Sequence, residues 1–163
     1  GSAYIDPTAV VIGDVEIGAD ASLWPHVVVR GDIHSIKIGD NSNIQDGSVL
    51  HVSHDSEFAP GGFPLRVGRG VTVGHTVILH DCTIEDNCLI GMGSIVMDGA
   101  QIQSGSMLGA GSLVSPGTVI EGGYLWLGRP ARRVRALTDA ERRYLAYSAE
   151  HYVRLKNRHR LGR

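Results

Sequence analysis

Three histidines, His51, His75 and His80, are the residues best equipped for chemistry in this chain. Three neutral imidazoles and one open position make the ligand set of a catalytic Zn²⁺ that holds water. Such an ion brings the pKa of its water from 15.7 down to about 7, so hydroxide is available at neutral pH. Fe²⁺ and Co²⁺ also accept three imidazoles, so zinc is the default choice and not the sole one. Gln45 and Asp46 precede His51, Arg30 and Asp32 lie further upstream, and His54 follows. These spacings acquire meaning only from the pattern in which the residues are set.

That pattern is a repeat. An aliphatic residue returns about every six positions: Ile12, Ile17, Leu23 and Val29; Ile38, Ile44 and Leu50; Val67, Val73 and Leu79; Ile84, Ile90 and Val96; then Ile102, Leu108, Val114 and Ile120. Gly follows many of these anchors, as at Gly39, Gly68, Gly74, Gly91 and Gly109, and small residues such as Ser42, Ser48 and Ser112 fall four places after one. Each unit reads as one short strand and one corner, with the anchor inward and Gly or a small polar residue turning the chain. Three units close a triangular coil of 18 residues. Stacked coils would hydrogen-bond at the sheet spacing of ~4.8 Å, and no coil could bury its apolar face alone.

Three faults in the beat are informative. Val29 to Ile38 is nine residues, an excess of three near positions 32–35. Leu50 to Val67 is 17, which places an 11-residue insertion in a loop over about 52–65. Leu79 to Ile84 is five, one short. Loops that interrupt a rigid scaffold are common places for binding function.

Used as a ruler, the repeat aligns Val29, Leu50, Leu79, Val96 and Val114 on the third strand of successive coils. The next residue in each case shares one outer column: Arg30, His51, His80, Met97 and Ser115. His51 and His80 therefore sit one coil apart, although 29 residues separate them. A second column, two places after the second-strand anchors, contains Pro25, Asp46, His75, Met92 and Ala110. His75 is thus on a different face from the other two. One chain cannot easily bring all three to one ion, whereas a neighbour in a threefold ring could, so a homotrimer is expected.

The remaining sequence narrows the class. With 15 Lys and Arg against 17 Asp and Glu the net charge is −2, so no bulk basic field draws in nucleic acid. No apolar run approaches the ~20 residues of a membrane span. No signal peptide precedes Tyr4, Gly1-Ser2 reads as a cloning scar, and the expected location is cytoplasmic. Cys82 and Cys88 read as reduced thiols packed in the repeat wall. The repeat ends near Trp126 to Ala131, and Thr138 with Glu141 fits a capping box for a helix over 139–158. Its basic end, from Arg154 on, reads as a solvated face, and Tyr147 and Tyr152 as core or interface packing. The expected units are a mainly β solenoid over 3–129 and a C-terminal segment, 130–163, whose helix packs on it.

The run of hexapeptides resembles the hexapeptide-repeat family over roughly residues 10 to 128, and that resemblance implies a left-handed parallel β-helix. Arg30-Gly-Asp32, Asn43-Ile-Gln-Asp46 with His51, Val73-Gly-His75, Leu79-His80 and Ile90-Gly-Met-Gly93 are together similar to the gamma-class carbonic anhydrases. The resemblance implies that His51, His75 and His80 bind the metal, two from one subunit and one from the next. It implies reversible hydration of CO₂ to bicarbonate, with Gln45 orienting hydroxide or CO₂ and Asp46 supporting a ligand. Arg30 and Asp32 would form an ion pair that bridges subunits, or else a surface pair of little consequence. Gln45 and Asp46 could instead cap a turn.

The sequence departs from the family pattern at two glutamates: it has His54 in place of the family's proton-shuttle glutamate, and Ile33 in place of a second one. His54 could shuttle protons, its unperturbed pKa being near 6.5, or be an exposed loop residue. Two other readings stay open: an acyl-CoA thioesterase or acyltransferase on the same scaffold, and a non-catalytic metal-binding assembly subunit.

Overall fold

In a computed structural model describing residues 1–162, short parallel strands stack coil upon coil into a triangular solenoid. Leu89–Ile90 pairs in register with Met107–Leu108, Thr83–Ile84 with Gln101–Ile102, and Ile95–Val96 with Leu113–Val114. Each partner lies 18 residues on, as a three-strand coil requires. The architecture is mainly β with one C-terminal helix, the expected class.

Backbone hydrogen bonds join the strands into one sheet of eight and one of ten. The larger is two faces of the triangle joined through the long strands Val10–Ile17 and Val28–Ile38. Residues 28–30 pair with Val49–His51 on one face, and residues 36–38 pair with Leu65–Val67 on the next. The three extra residues near 32–35 thus carry a strand through a corner. One expected anchor is displaced: Val11 pairs with Val29, and Ile12 pairs with Arg30. Ile12 therefore belongs to the outer column and is exposed.

The interior is three aliphatic columns. Val29, Leu50, Leu79, Val96 and Val114 form one, all at 0% exposure. Burying a Leu, Ile or Val side chain contributes about 1.5–3 kcal/mol, and each coil from Ile38 to Val114 supplies three. Buried serines close the corners: Ser48 Oγ donates to the Gly74 carbonyl (2.9 Å) and Ser112 Oγ to that of Gly109 (2.6 Å). Their hydroxyls are satisfied, so small polar residues are tolerated inside.

The glycines after the anchors do not turn the chain, contrary to the sequence reading. They allow coils to approach: a Cβ on Gly91 would lie 2.5 Å from the Ala110 amide nitrogen. Turning falls to the residue three past the anchor, with φ of 72° at Gly105 and 55° at Asn87. Gly, and next Asn, tolerates that conformation.

The helix spans Asp139–Arg160, two residues beyond the expected end. Its capping box is present, with Glu141 N donating to Thr138 Oγ1 (3.1 Å) and Thr138 N to Glu141 Oε2 (2.9 Å). It lies along the eight-stranded sheet, where Thr72 and Ser148 hydroxyls meet at 2.9 Å and Tyr152 packs against Trp24. Tyr147 is 53% exposed in this chain, so it is not core. Lys156 is likewise misread as solvated: it is fully buried, and Nζ donates to Asp20 Oδ1 (2.7 Å), Ser2 O and Asn157 Oδ1. Ser2 is therefore part of the packed structure. Strand Ala131–Ala136, absent from the sequence reading, folds back antiparallel on Tyr124–Gly128.

Cys82 and Cys88 are buried and unpaired, as expected. Burial pushes both thiols up, Cys88 to about 12. No helix among the described residues is long and apolar enough to cross a membrane.

Candidate metal centre

The strand pairing places Arg30 opposite His51 and His51 opposite His80. Parallel pairing in register gives both imidazoles the same outward direction, one coil apart. His51 Nδ1 and His80 Nε2 approach to 3.3 Å. His75 follows Thr72–Val73 in the eight-stranded sheet, whereas His51 and His80 lie in the ten-stranded one. The chain brings two histidines together and leaves the third on another face.

Carboxylates decide which ring nitrogens are free. His51 Nε2 donates to Asp32 Oδ1 (3.2 Å) and His80 Nδ1 to Asp98 Oδ1 (2.7 Å). His75 Nδ1 donates to Asp46 Oδ2 (3.0 Å). An acceptor-only carboxylate requires the hydrogen on that nitrogen. In the neutral rings the lone pairs then lie on His51 Nδ1, His80 Nε2 and His75 Nε2. Metal-ligating histidines are commonly fixed in this manner, with the second nitrogen hydrogen-bonded to a carboxylate.

The 3.3 Å contact shows whether a metal fits. Two lone pairs facing each other repel unless a cation lies between them. Nitrogens at 2.0–2.1 Å from a tetrahedral Zn²⁺ would be ~3.4 Å apart. The pair is spaced to share one ion, and this donor set fits the metal.

Another cluster, His80, Asp81 and Asp98, also gathers donor atoms within 4.8 Å of one another. Both carboxylates converge on His80 Nδ1, at 2.7 Å from Asp98 and 3.4 Å from Asp81. The cluster therefore supports the outer nitrogen of His80. Asp81 is buried, which raises its pKa, and its Oδ1 has no partner among the described residues. Its Oδ2 accepts from Ser53 Oγ, a contact that fastens the inserted loop beneath the histidine pair.

The other expected residues fall as follows. Arg30 Nη1 donates to Asp32 Oδ2 (2.7 Å) within the chain, and this bond holds the Asp32 carboxyl below its ordinary range. Gln45 is buried and its amide donates to Asn43 Oδ1 (3.1 Å). Asn43 in turn donates to Thr72 Oγ1 (3.1 Å), so Gln45 is anchored through the sheet to the helix. Among the described residues, the Gln45 side chain bonds to Asn43 and the Asp46 side chain to His75. His54 is exposed on the inserted loop.

Known proteins share this sequence at length. The family model for the hexapeptide repeat of succinyl-transferase matches residues 82–116. Protein YrdA of Escherichia coli is 52% identical, covering 94% of this chain and 83% of its own length. The carbonic anhydrase of Geobacillus kaustophilus is 46% identical over 93% of this chain and 80% of its own. The chain belongs to the gamma-class carbonic anhydrase-like family. Among solved structures, a hexapeptide transferase family protein from Anaplasma phagocytophilum superposes with a TM-score of 0.82 at 43% identity, covering 95% of this chain and 91% of that one. Both kinds of name thus occur among relatives of this gamma-class-like chain, and the scaffold alone does not choose between them.

The sequence reading missed Asp98, Asp81 and Ser53. A signal for Asp98 was available: Met97 already stood in the His80 column, and the next residue along reaches the same imidazole.

Proposed function

We propose that this chain binds a divalent metal, zinc by default, between subunits of a homotrimer and there catalyses reversible hydration of CO₂. The observation that supports it best is the set of three imidazoles, each with one nitrogen held by a carboxylate and the other not bound to one. A bound ion would supply Lewis acidity, bringing the pKa of water to about 7.

The chain's own residues do the rest. His51 and His80 from one copy and His75 from the next are the ligands. Gln45, fixed by Asn43, presents its amide beside the neighbouring Asp46–His75 pair and orients CO₂. Asp32 divides its oxygens between Arg30 and His51, so the ion pair sets the ligand's direction. His54, on the exposed loop two residues beyond Val52, carries the released proton to solvent.

A ladder of outward aliphatic residues supports the trimer. Val28 pairs with Val49, Val49 with Ile78, Ile78 with Ile95 and Ile95 with Leu113, one place before the histidine column. Val49 and Ile78 remain 36% and 43% exposed in the single chain. A contiguous apolar stripe of this kind marks an interface.

An acyl-CoA reaction is the second reading, favoured by the transferase names attached to the shared repeat. A non-catalytic metal-bound subunit is the third. Metal analysis joined to stopped-flow CO₂ hydration and an acyl-CoA turnover assay tests all three. The proposal expects bound metal and hydration above the metal-free control. Metal without hydration leaves the third reading, and acyl-CoA turnover alone leaves the second.

A further inference from the structure

Phe58 is 90% exposed, the most exposed large apolar side chain among the described residues. Its loop is nonetheless ordered. Ser53 pairs with Phe63 and Ser56 with Ala59 as a small antiparallel hairpin, and Gly61 N donates to Asp55 Oδ1 (2.7 Å). Ser53 is fastened to buried Asp81. The hairpin therefore holds an aromatic ring in water at its tip, which is costly unless something covers it.

Elsewhere on the chain lies a groove of about 400 Å³ between the eight-stranded sheet and the helix. Met92, Ala110, Tyr144 and Tyr152 are among the residues that line it. Gln45 and Gly74 also line it, and each immediately precedes a member of the Asp46–His75 pair. Met92 and Tyr144 are 57% and 50% exposed.

We infer that Phe58 of one copy fills this groove in the neighbouring copy. The inference rests on the inter-subunit metal site proposed above. If three imidazoles share an ion, the neighbour's His75 Nε2 comes within ~4 Å of the His51–His80 pair. The Phe58 hairpin starts two residues after His51, and the groove starts beside His75. The proposed metal geometry therefore puts the two features at one interface. The hairpin pairing makes Ser53 to Ser56 an arm of three steps, ~10 Å, and the turn beyond it carries Phe58 further out from the ligand. A buried aromatic anchor ringed by polar contacts is the usual form of an interface hot spot. The loop would then wall the mouth of the metal site with residues from two copies.

The test places p-benzoylphenylalanine at position 58 and mixes isotopically light and heavy chains. Irradiation should cross-link light to heavy chains, with the bond mapped to a peptide containing Met92 or Tyr144. Phe58→Ser should weaken self-association at least tenfold by light scattering. A trimer that cross-links elsewhere, within one chain, or not at all overturns the docking but leaves the metal-site reading standing. A monomeric wild-type protein overturns both.

Discussion

From Ile84 to Ile120 the solenoid winds without a fault, and from Val29 to Ile84 it is broken three times. In the regular half the outer columns hold Met92, Met97, Ala110 and Ser115, which offer no strong ligand. In the broken half the same columns hold Arg30, His51, His80, Asp46 and His75. Each fault also places a supporting group. The strand that runs through its corner sets Asp32 against His51 at 3.2 Å. The insertion puts Ser53 and the Phe58 hairpin directly after His51. The missing residue after His80 turns Asp81 inward with φ of 52° and buries it. Perfect repetition supplies stiffness, and the departures from it gather the groups to which the proposed chemistry is assigned, in keeping with local rules being broken at functional sites.

Substitutions at matching positions in the two halves test this contrast. The largest expected difference lies in the outer column. His80→Ala should remove bound metal and reduce CO₂ hydration to the uncatalysed background. Met97→Ala, opposite His80 on the next coil, should leave metal content and rate unchanged. Loss of metal in both would show that the column owes its function to the scaffold and not to the fault.

The core should not distinguish the halves. Leu50→Ala and Leu108→Ala remove fully buried anchors from the broken and regular regions, and each should cost about 2–5 kcal/mol in denaturant unfolding. A much smaller loss at Leu50 would mean that the broken coils are loosely packed.

The smallest effects belong to the helix, outside the repeat. Thr138→Ala removes a cap and should cost about 1 kcal/mol by the same measurement. The Arg135 guanidinium and the capping bonds hold Glu141 down at about 2, from an ordinary value of 4.5. A depressed carboxyl stabilises the folded state above its ordinary pKa, and that contribution disappears as pH falls from 4.5 toward 2. The melting temperature should therefore decline over that window less steeply in Glu141→Gln than in the wild type.

Much of this was legible in the sequence because period and register are arithmetic. Counting sixes placed His51 opposite His80 and His75 on another face, and the strand pairing has the same register. The capping box at Thr138 was legible because its partners are three residues apart. What escaped was set by packing across long separations. Lys156 looked like one more cation on a basic helix end, and only the neighbouring Asp20 and Ser2 carbonyl explain its burial. Ile12 looked like an anchor although it stands five residues before Ile17; Val11, six before it, is the residue that pairs with Val29. Asp98 looked like a corner residue because a column count does not reach the side chain standing beside the column.

Most depends on whether one ion is held by two copies of the chain. His75→Ala and His80→Ala chains, refolded together in equal amounts, test it directly through metal content and CO₂ hydration. Neither variant alone should bind metal, while the mixture should recover about a quarter of the sites, because each intact site needs one chain of each kind in a fixed order. No recovery in mixed trimers, or full metal binding by His75→Ala alone, would contradict the account.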